Sequence, residues 1–231
     1  MITDVADVVT RRLIAMAEAA LGPAPARYLW LACGSQGRQE QTGVSDQDNC
    51  LILEDGASDD DMAYFRKLAT FVSDGLNACG YVYCPGDMMA TNPRWRQPLR
   101  VWRDYFRGWI ASPSNEAQML ASVMFDLRPI GGETSLFESL QADTLASAAG
   151  NSIFTAHMAS NSLKHHPPLG LLRGIATADD EYLLRILPRR DGFRMPATPP
   201  FLAHCRVLCA ADGHAKHVAG HTAHSIFKKT D

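Results

Sequence analysis

Residues 28–53 read YLWLACGSQGRQEQTGVSDQDNCLIL, and the way this stretch divides decides the fold. Tyr28–Cys33 and Asn49–Leu53 are short runs rich in aliphatic residues, which predicts two buried strands. Between them stands a Gly34-Ser35 turn, then a spacer of ten residues, then Asp46 and Asp48 separated by one position. The pair sits at the mouth of the second strand, and because residues i and i+2 of a strand project from one face, the two carboxylates are expected side by side. Two like charges at that separation are unfavourable unless a cation bridges them. Hard oxygen ligands with room for water and substrate phosphates are what Mg²⁺ takes in phosphoryl-transfer sites. The turn supplies the complementary half: at Gly34 the backbone can approach a phosphate closely, and N–H groups there, with the Ser35 hydroxyl, can donate to its oxygens. Taken alone, the same residues also suit a loop closing a hairpin, because Gly, Ser, Asp and Asn are common turn formers.

Outward from this stretch, residues 4–21 repeat apolar positions at helical spacing until Gly22-Pro23. Ser58 followed by Asp59, Asp60 and Asp61 is a capped helix start, with apolar positions recurring from Met62 to Leu76 and Gly80 as the stop. Tyr81–Cys84 predicts a third strand, and helix, strand, strand, helix, strand describes a small α/β sheet. After a loop punctuated by Gly86, Pro93 and Pro98, a helix runs to about Ile110, with Trp95, Trp102 and Trp109 seven apart on a core side. Its basic side carries arginines 94, 96, 100, 103 and 107, either a solvated face or a means of steering a triphosphate or an acidic protein. Residues 115–128 suit a helix running into a strand or one longer helix. Residues 133 to about 164 read as helical with interruptions.

Composition narrows the functions available. The chain has 231 residues, 46% of them apolar, enough for a sizeable core. A net charge of −3 gives no general attraction to nucleic acid or to a membrane surface, so an anionic ligand must be held locally. No stretch has the length and apolarity of a spanning segment, and the N-terminus does not read as a signal peptide. Six cysteines in mostly apolar contexts, without a CxxC pair, suit reduced buried thiols, which predicts a cytoplasmic protein.

The residues then resemble a family. Gly34-Ser35, the spacer of ten and Asp46-x-Asp48 look like the nucleotidyltransferase motif of the DNA polymerase β superfamily. More closely, residues 30–53, CPGDMMATNPRWRQPLRVW and FDLRPIGG resemble the nucleotidyltransferases that often occur behind CBS and cyclic-nucleotide-binding domains. These are similar to the protein uridylyltransferase that modifies the PII nitrogen regulator. The resemblance spans residues 4 to about 175. It implies an α+β, polymerase β-like palm with a mixed sheet, followed by a helical substrate-binding subdomain. The implied activity is Mg²⁺-dependent transfer of a nucleoside monophosphate from a nucleoside triphosphate to a protein or small-molecule hydroxyl, in signalling, with one or two ions. Asp46 and Asp48 would be the catalytic metal ligands, and Gly34 and Ser35 would grip phosphate. Arg38 would touch phosphate too, while Glu40 is either a support of the metal shell or a surface residue. The superfamily uses a third carboxylate from a later strand; Asp126, Glu116 and Asp87 are the candidates. Asp126 is favoured, against the alternative that it pairs structurally with Arg128. The broader superfamily has apolar residues where this chain has Gln47 and Asn49, although the CBS-associated group shares the polar form. The alternative function is a nucleotide-sensing or protein-interaction module without chemistry.

The predicted organisation is a palm with its N-terminal helix at 1–130, a helical subdomain at 131–186 and an atypical tail at 187–231. The tail holds five of the eight histidines, and His214, His217, His221 and His224, with Cys205 and Cys209, could imitate a zinc site. It does not resemble the family, so a disordered or frame-altered terminus is one reading. In the resembled group the first helix usually follows regulatory modules, so any such regulation of this stand-alone or clipped core is expected from another chain. The expected partners are a nucleoside triphosphate and a regulatory protein acceptor, with neither nucleic acid nor membrane.

Overall fold

Tyr28–Ala32 (β1) and Asn49–Leu53 (β2) pair antiparallel, with Tyr28 opposite Leu53 and Ala32 opposite Asn49. All ten of these residues are buried, the pattern of strands covered on both faces. Alternation along each strand sorts them. Leu29, Leu31, Cys50 and Ile52 face one core and Tyr28, Trp30, Leu51 and Leu53 the other. The computed structural model describes residues 2–163, with side chains through residue 160. The tail at 187–231, its histidines and cysteines, and the helical segment past residue 163 lie outside the described residues.

The sheet has four strands in the order β3-β2-β1-β4, where β3 is Arg96–Pro98 and β4 is Arg128–Gly132. β3 runs parallel to β2, and β4 runs antiparallel to β1 across a bulge at Trp30 and Leu31. The result is the mixed α+β sheet that was expected, with one strand placed differently. Tyr81–Cys84 forms no strand. It meets the segment before β2 through isolated bonds, from Gln47 N to Val82 O and from Gln47 Nε2 to Tyr81 O, and it leaves Val82 and Tyr83 exposed. The edge pairing goes instead to the three residues of β3, where proline at the last position is tolerated because an edge strand need not donate there.

One face carries Ile2–Leu21 (α1) and Asp59–Ala78 (α3). α3 begins with a reciprocal capping box between Ser58 and Asp61. α1 and α3 approach closely because Gly75 has no side chain where Leu13 lies. The other face carries Leu99–Ala111 (α4), Asn115–Met124 (α5), Ser135–Ala149 (α6) and Ser152–Leu163 (α7). Residues 115–128 are therefore a helix that leads into a strand. Trp95, Trp102 and Trp109 are all buried, and the Trp102 indole N–H donates to Leu51 O at 3.0 Å, fastening α4 to the sheet. The expected basic side is largely ion-paired: Arg94, which precedes α4, with Glu116, Arg103 with Asp143 of α6, and Arg107 with Asp104. Arg96 departs from it, being buried with Nη1 donating to Ala90 O and Thr91 O. Among the described residues no helix is long and apolar enough to cross a membrane.

Candidate active site

The site forms where β1 and β2 end side by side. Gly34–Gly37 (α2) is a single helical turn directly after β1, and Cys33 N donates to Asp48 O at 3.0 Å, one step past the β1–β2 ladder. That bond lays the turn against Asp48. Gly34 adopts φ +54°, and a Cβ there would collide with the Asp48 carboxylate, so only glycine allows the acid to lie flat on the turn. Being the first residues of a helical turn, Gly34, Ser35 and Gln36 have N–H groups that donate to no acceptor among the described residues. Ser35 is part-exposed beside them.

Asp46 and Asp48 precede β2 rather than lying within it, but the expected convergence holds: ligand atoms of Asp46, Asp48 and Cys84 all lie within 4.8 Å of one another. All three residues are partly exposed. Burial, and then the neighbouring Asp46 carboxylate, push the Asp48 carboxyl up to about 6. The Cys84 thiol hydrogen-bonds to Asp48 and is itself raised to about 11, chiefly by burial. The two carboxylates, half open to solvent, fit a hard divalent ion that keeps positions for water and phosphate; a thiol is not a donor such an ion selects.

Gln47 and Asn49, the two polar departures from the broader superfamily pattern, have a structural explanation. Both are buried. Gln47 Nε2 donates to Ser73 O and Tyr81 O, and Asn49 Oδ1 accepts from Ala90 N at 2.8 Å while Asn49 N donates to Met88 O. They bolt the 81–90 loop to the edge of the site, and that loop carries Cys84. Apolar side chains at 47 and 49 would remove these partners of Ser73 O, Tyr81 O and Ala90 N.

The remaining predicted residues do not join the Asp46–Asp48–Cys84 cluster. Arg38 is sequestered, its side chain 4% exposed, with Nε to Glu40 at 3.0 Å and Nη1 to Asp126 at 3.1 Å. Asp126 is fully buried and does not join the Asp46–Asp48–Cys84 cluster. The ion pair found for it is with Arg38, where the alternative reading had Arg128. Arg128 belongs to β4 and turns toward α1, where Nη1 and Nη2 contact the Asp7 carboxylate at 2.7 and 2.9 Å. Arg128 also donates to Gln36 O and Gly37 O, and Gln36 Nε2 reaches Asp7 at 3.0 Å. The α2 turn is thus clamped from beneath through its last carbonyls, a cationic cap of the kind helix C-termini favour. Glu116 is an exposed partner of Arg94, and Asp87 is an exposed partner of Asn92, both outside the cluster.

Sequence reasoning missed Cys84 and Asp7. Cys84 ends the apolar run Tyr81–Cys84, a composition that reads as a buried strand thiol rather than a ligand. Among the described cysteines, only Cys33 and Cys50 are buried; Cys79 is exposed, and all four are free. Asp7 had a detectable signal, an acid on the inward side of an amphipathic helix where Ala6, Thr10 and Ile14 are buried.

A family model described as putative nucleotidyltransferase, DUF294, matches residues 1–116, just over half of the 231. The matched segment contains α1, the α2 turn, Asp46, Asp48 and Cys84. No curated protein matches the chain. With that family match over half of its length, the chain belongs to the putative nucleotidyltransferase family DUF294.

Proposed function

We propose that the protein is a Mg²⁺-dependent, uridylyltransferase-like nucleotidyltransferase. It would move a nucleoside monophosphate from a nucleoside triphosphate to a hydroxyl of a regulatory protein or small molecule, as part of cytoplasmic signalling. One observation carries this reading: two convergent carboxylates lie against a glycine turn whose leading N–H groups lack acceptors among the described residues. Asp46 and Asp48 would hold one or two divalent ions, which when bound supply positive charge against the charge that develops on the phosphates. The N–H groups of Gly34, Ser35 and Gln36, with the Ser35 hydroxyl, donate to phosphate oxygens and orient the α-phosphorus. The acceptor hydroxyl gives up its proton to solvent, and its oxygen forms a bond to that phosphorus as the bond to the bridging oxygen breaks and pyrophosphate leaves. Arg38 acts at one remove, through its pairs with Glu40 and Asp126.

Incubation with each α-labelled triphosphate, Mg²⁺ and cell extract tests this. Label should pass to one class of acceptor, and Asp46→Asn and Asp48→Asn should each abolish the transfer while the fold survives; transfer that persists in both variants refutes the reading. A second reading, a nucleotide-sensing module without turnover, is favoured by the engagement of Asp126 with Arg38 rather than with the cluster. Calorimetry that records triphosphate binding with no transfer to any acceptor would select it.

A further inference from the structure

We infer that Cys84 is a third metal ligand of the Asp46–Asp48 site, which makes the site a receptor for thiophilic divalent ions, of which Zn²⁺ is the type, in competition with Mg²⁺. The inference rests on the reading of Asp46 and Asp48 as metal ligands. It concerns the donor that completes them.

Three facts carry it. The Cys84 sulfur lies within 4.8 Å of ligand oxygens of both aspartates. Ligands sharing one tetrahedral ion at roughly 2.0–2.3 Å stand roughly 3–4 Å apart, so a small side-chain rotation closes the set. The loop that bears the sulfur is held in place: Gln47 ties Tyr81, Asn49 ties Met88 and Ala90, and Arg96 ties Ala90 and Thr91. Finally, the three carboxylates that could have served as an all-oxygen third ligand are elsewhere, Asp126 with Arg38, Glu116 with Arg94, and Asp87 with Asn92.

Two carboxylates and a thiolate are a poor donor set for Mg²⁺ but a good one for Zn²⁺, for which sulfur is a preferred donor. A four-coordinate ion on this set keeps one position for water or a phosphate oxygen. On binding, the thiol proton passes to solvent and the sulfur donates its electron pair to the ion; nothing is oxidised or reduced. Without the sulfur, the two oxygens remain a site for hard ions.

Full-length protein is titrated with Co²⁺ as a spectroscopic substitute for Zn²⁺, in a thiol-free phosphine reductant. The wild type should develop a near-ultraviolet thiolate-to-cobalt charge-transfer band, and Cys84→Ser and Cys84→Asp should not. In parallel, Mn²⁺ bound to the protein is followed by electron paramagnetic resonance while Zn²⁺ is added. Release of Mn²⁺ should need about tenfold or more additional Zn²⁺ in Cys84→Ser and Cys84→Asp, since removal of even an indirect support of a ligand costs about that much. Circular dichroism confirms that the variants fold, and Cys84→Asp keeps a donor at the position if Cys84→Ser does not. A band unchanged in the Cys84 variants, or equal Zn²⁺ displacement curves, overturns the inference while leaving the paired aspartates as a Mn²⁺ site. Mn²⁺ binding that is absent, or that survives in both Asp46→Asn and Asp48→Asn, overturns the underlying reading as well.

Discussion

Gly34 and Gly37 stand three residues apart in one helical turn, and alanine at each should fail in a different way. At Gly34 the new Cβ meets the end of a side chain, the Asp48 carboxylate, with Asp48 Cγ at 3.2 Å and Cβ at 3.4 Å. Alanine at φ +54° costs about 1–2 kcal/mol. Turning Asp48 off its rotamer to make room adds about 0.5–1.5 kcal/mol. Gly34→Ala should therefore lose about 1.5–3.5 kcal/mol of folding stability. The carboxylate it displaces is a metal ligand, so Mn²⁺ affinity should fall about 10- to 100-fold. At Gly37 the Cβ meets main chain instead, the Asp126 carbonyl oxygen, with Ala32 O at 3.2 Å. Neither can rotate aside without breaking the register of β1 beside β4. Gly37→Ala should lose about 3 kcal/mol or more, the upper range of overpacking. Urea denaturation measures the stabilities, and calorimetric titration with Mn²⁺ measures the site. Gly34→Ala with Mn²⁺ affinity close to the wild type, or with a stability loss larger than that of Gly37→Ala, would refute the account of how the turn and Asp48 fit together.

Other expectations follow from the same geometry. Arg128→Met should destabilise by about 2–4 kcal/mol, because it strands the buried Asp7 carboxylate; Asp7→Leu in the same chain should restore much of the stability but not the nucleotide KM, since Gln36 O and Gly37 O still lack their donor. Urea midpoints and KM for the triphosphate separate the two effects, and a normal KM in the double variant would refute the clamp. The Asp48 carboxyl lies near 6 in the fold against 3.8 in the free chain, so folding favours its protonated form. The metal-free protein should keep that contribution, at most about 3 kcal/mol, below pH 3.8 and lose it as the pH rises through about 6. Metal affinity runs the other way, falling about tenfold per pH unit below that point. Both trends should flatten in Asp48→Asn, as seen in urea midpoints and Mn²⁺ titrations across pH. Asn49→Leu should cost about 1–3 kcal/mol by orphaning the Ala90 N–H, and should speed Cys84 alkylation by a small thiol reagent as the loop loosens. An unchanged alkylation rate would show that Asn49 does not hold the loop.

The elements legible in the sequence were those whose signal is local. β1 and β2 announce themselves as unbroken apolar runs because both faces are covered, α3 through its capping box, and α4 through tryptophans repeating on one side. Tyr81–Cys84 has the composition of a strand, but it meets the sheet side only through individual bonds from Gln47, N to Val82 O and Nε2 to Tyr81 O, and no ladder forms. β3 is three residues with no apolar alternation, recognisable only once β2 is present to pair with it. In the site, Gly34 with Asp46 and Asp48 could be read because the β1–β2 hairpin brings its own ends together. Asp126 and Arg128 looked like neighbours at i and i+2, yet their partners stand 88 and 121 positions away in Arg38 and Asp7. Distances of that order along the chain leave no periodic trace.

The antiparallel pairing of Leu29 with Gly132 bears on the order in which the molecule assembles. β1 is an interior strand, and its second neighbour is made only after the whole of α3, α4 and α5 has been synthesised. Contacts this distant in sequence are slow to close. Arg128 arrives on that late strand. The turn at Gly34, synthesised well before β4, therefore acquires its final shape among the last events of folding, and a nascent chain stalled before β4 would hold Asp46 and Asp48 beside a seat not yet set.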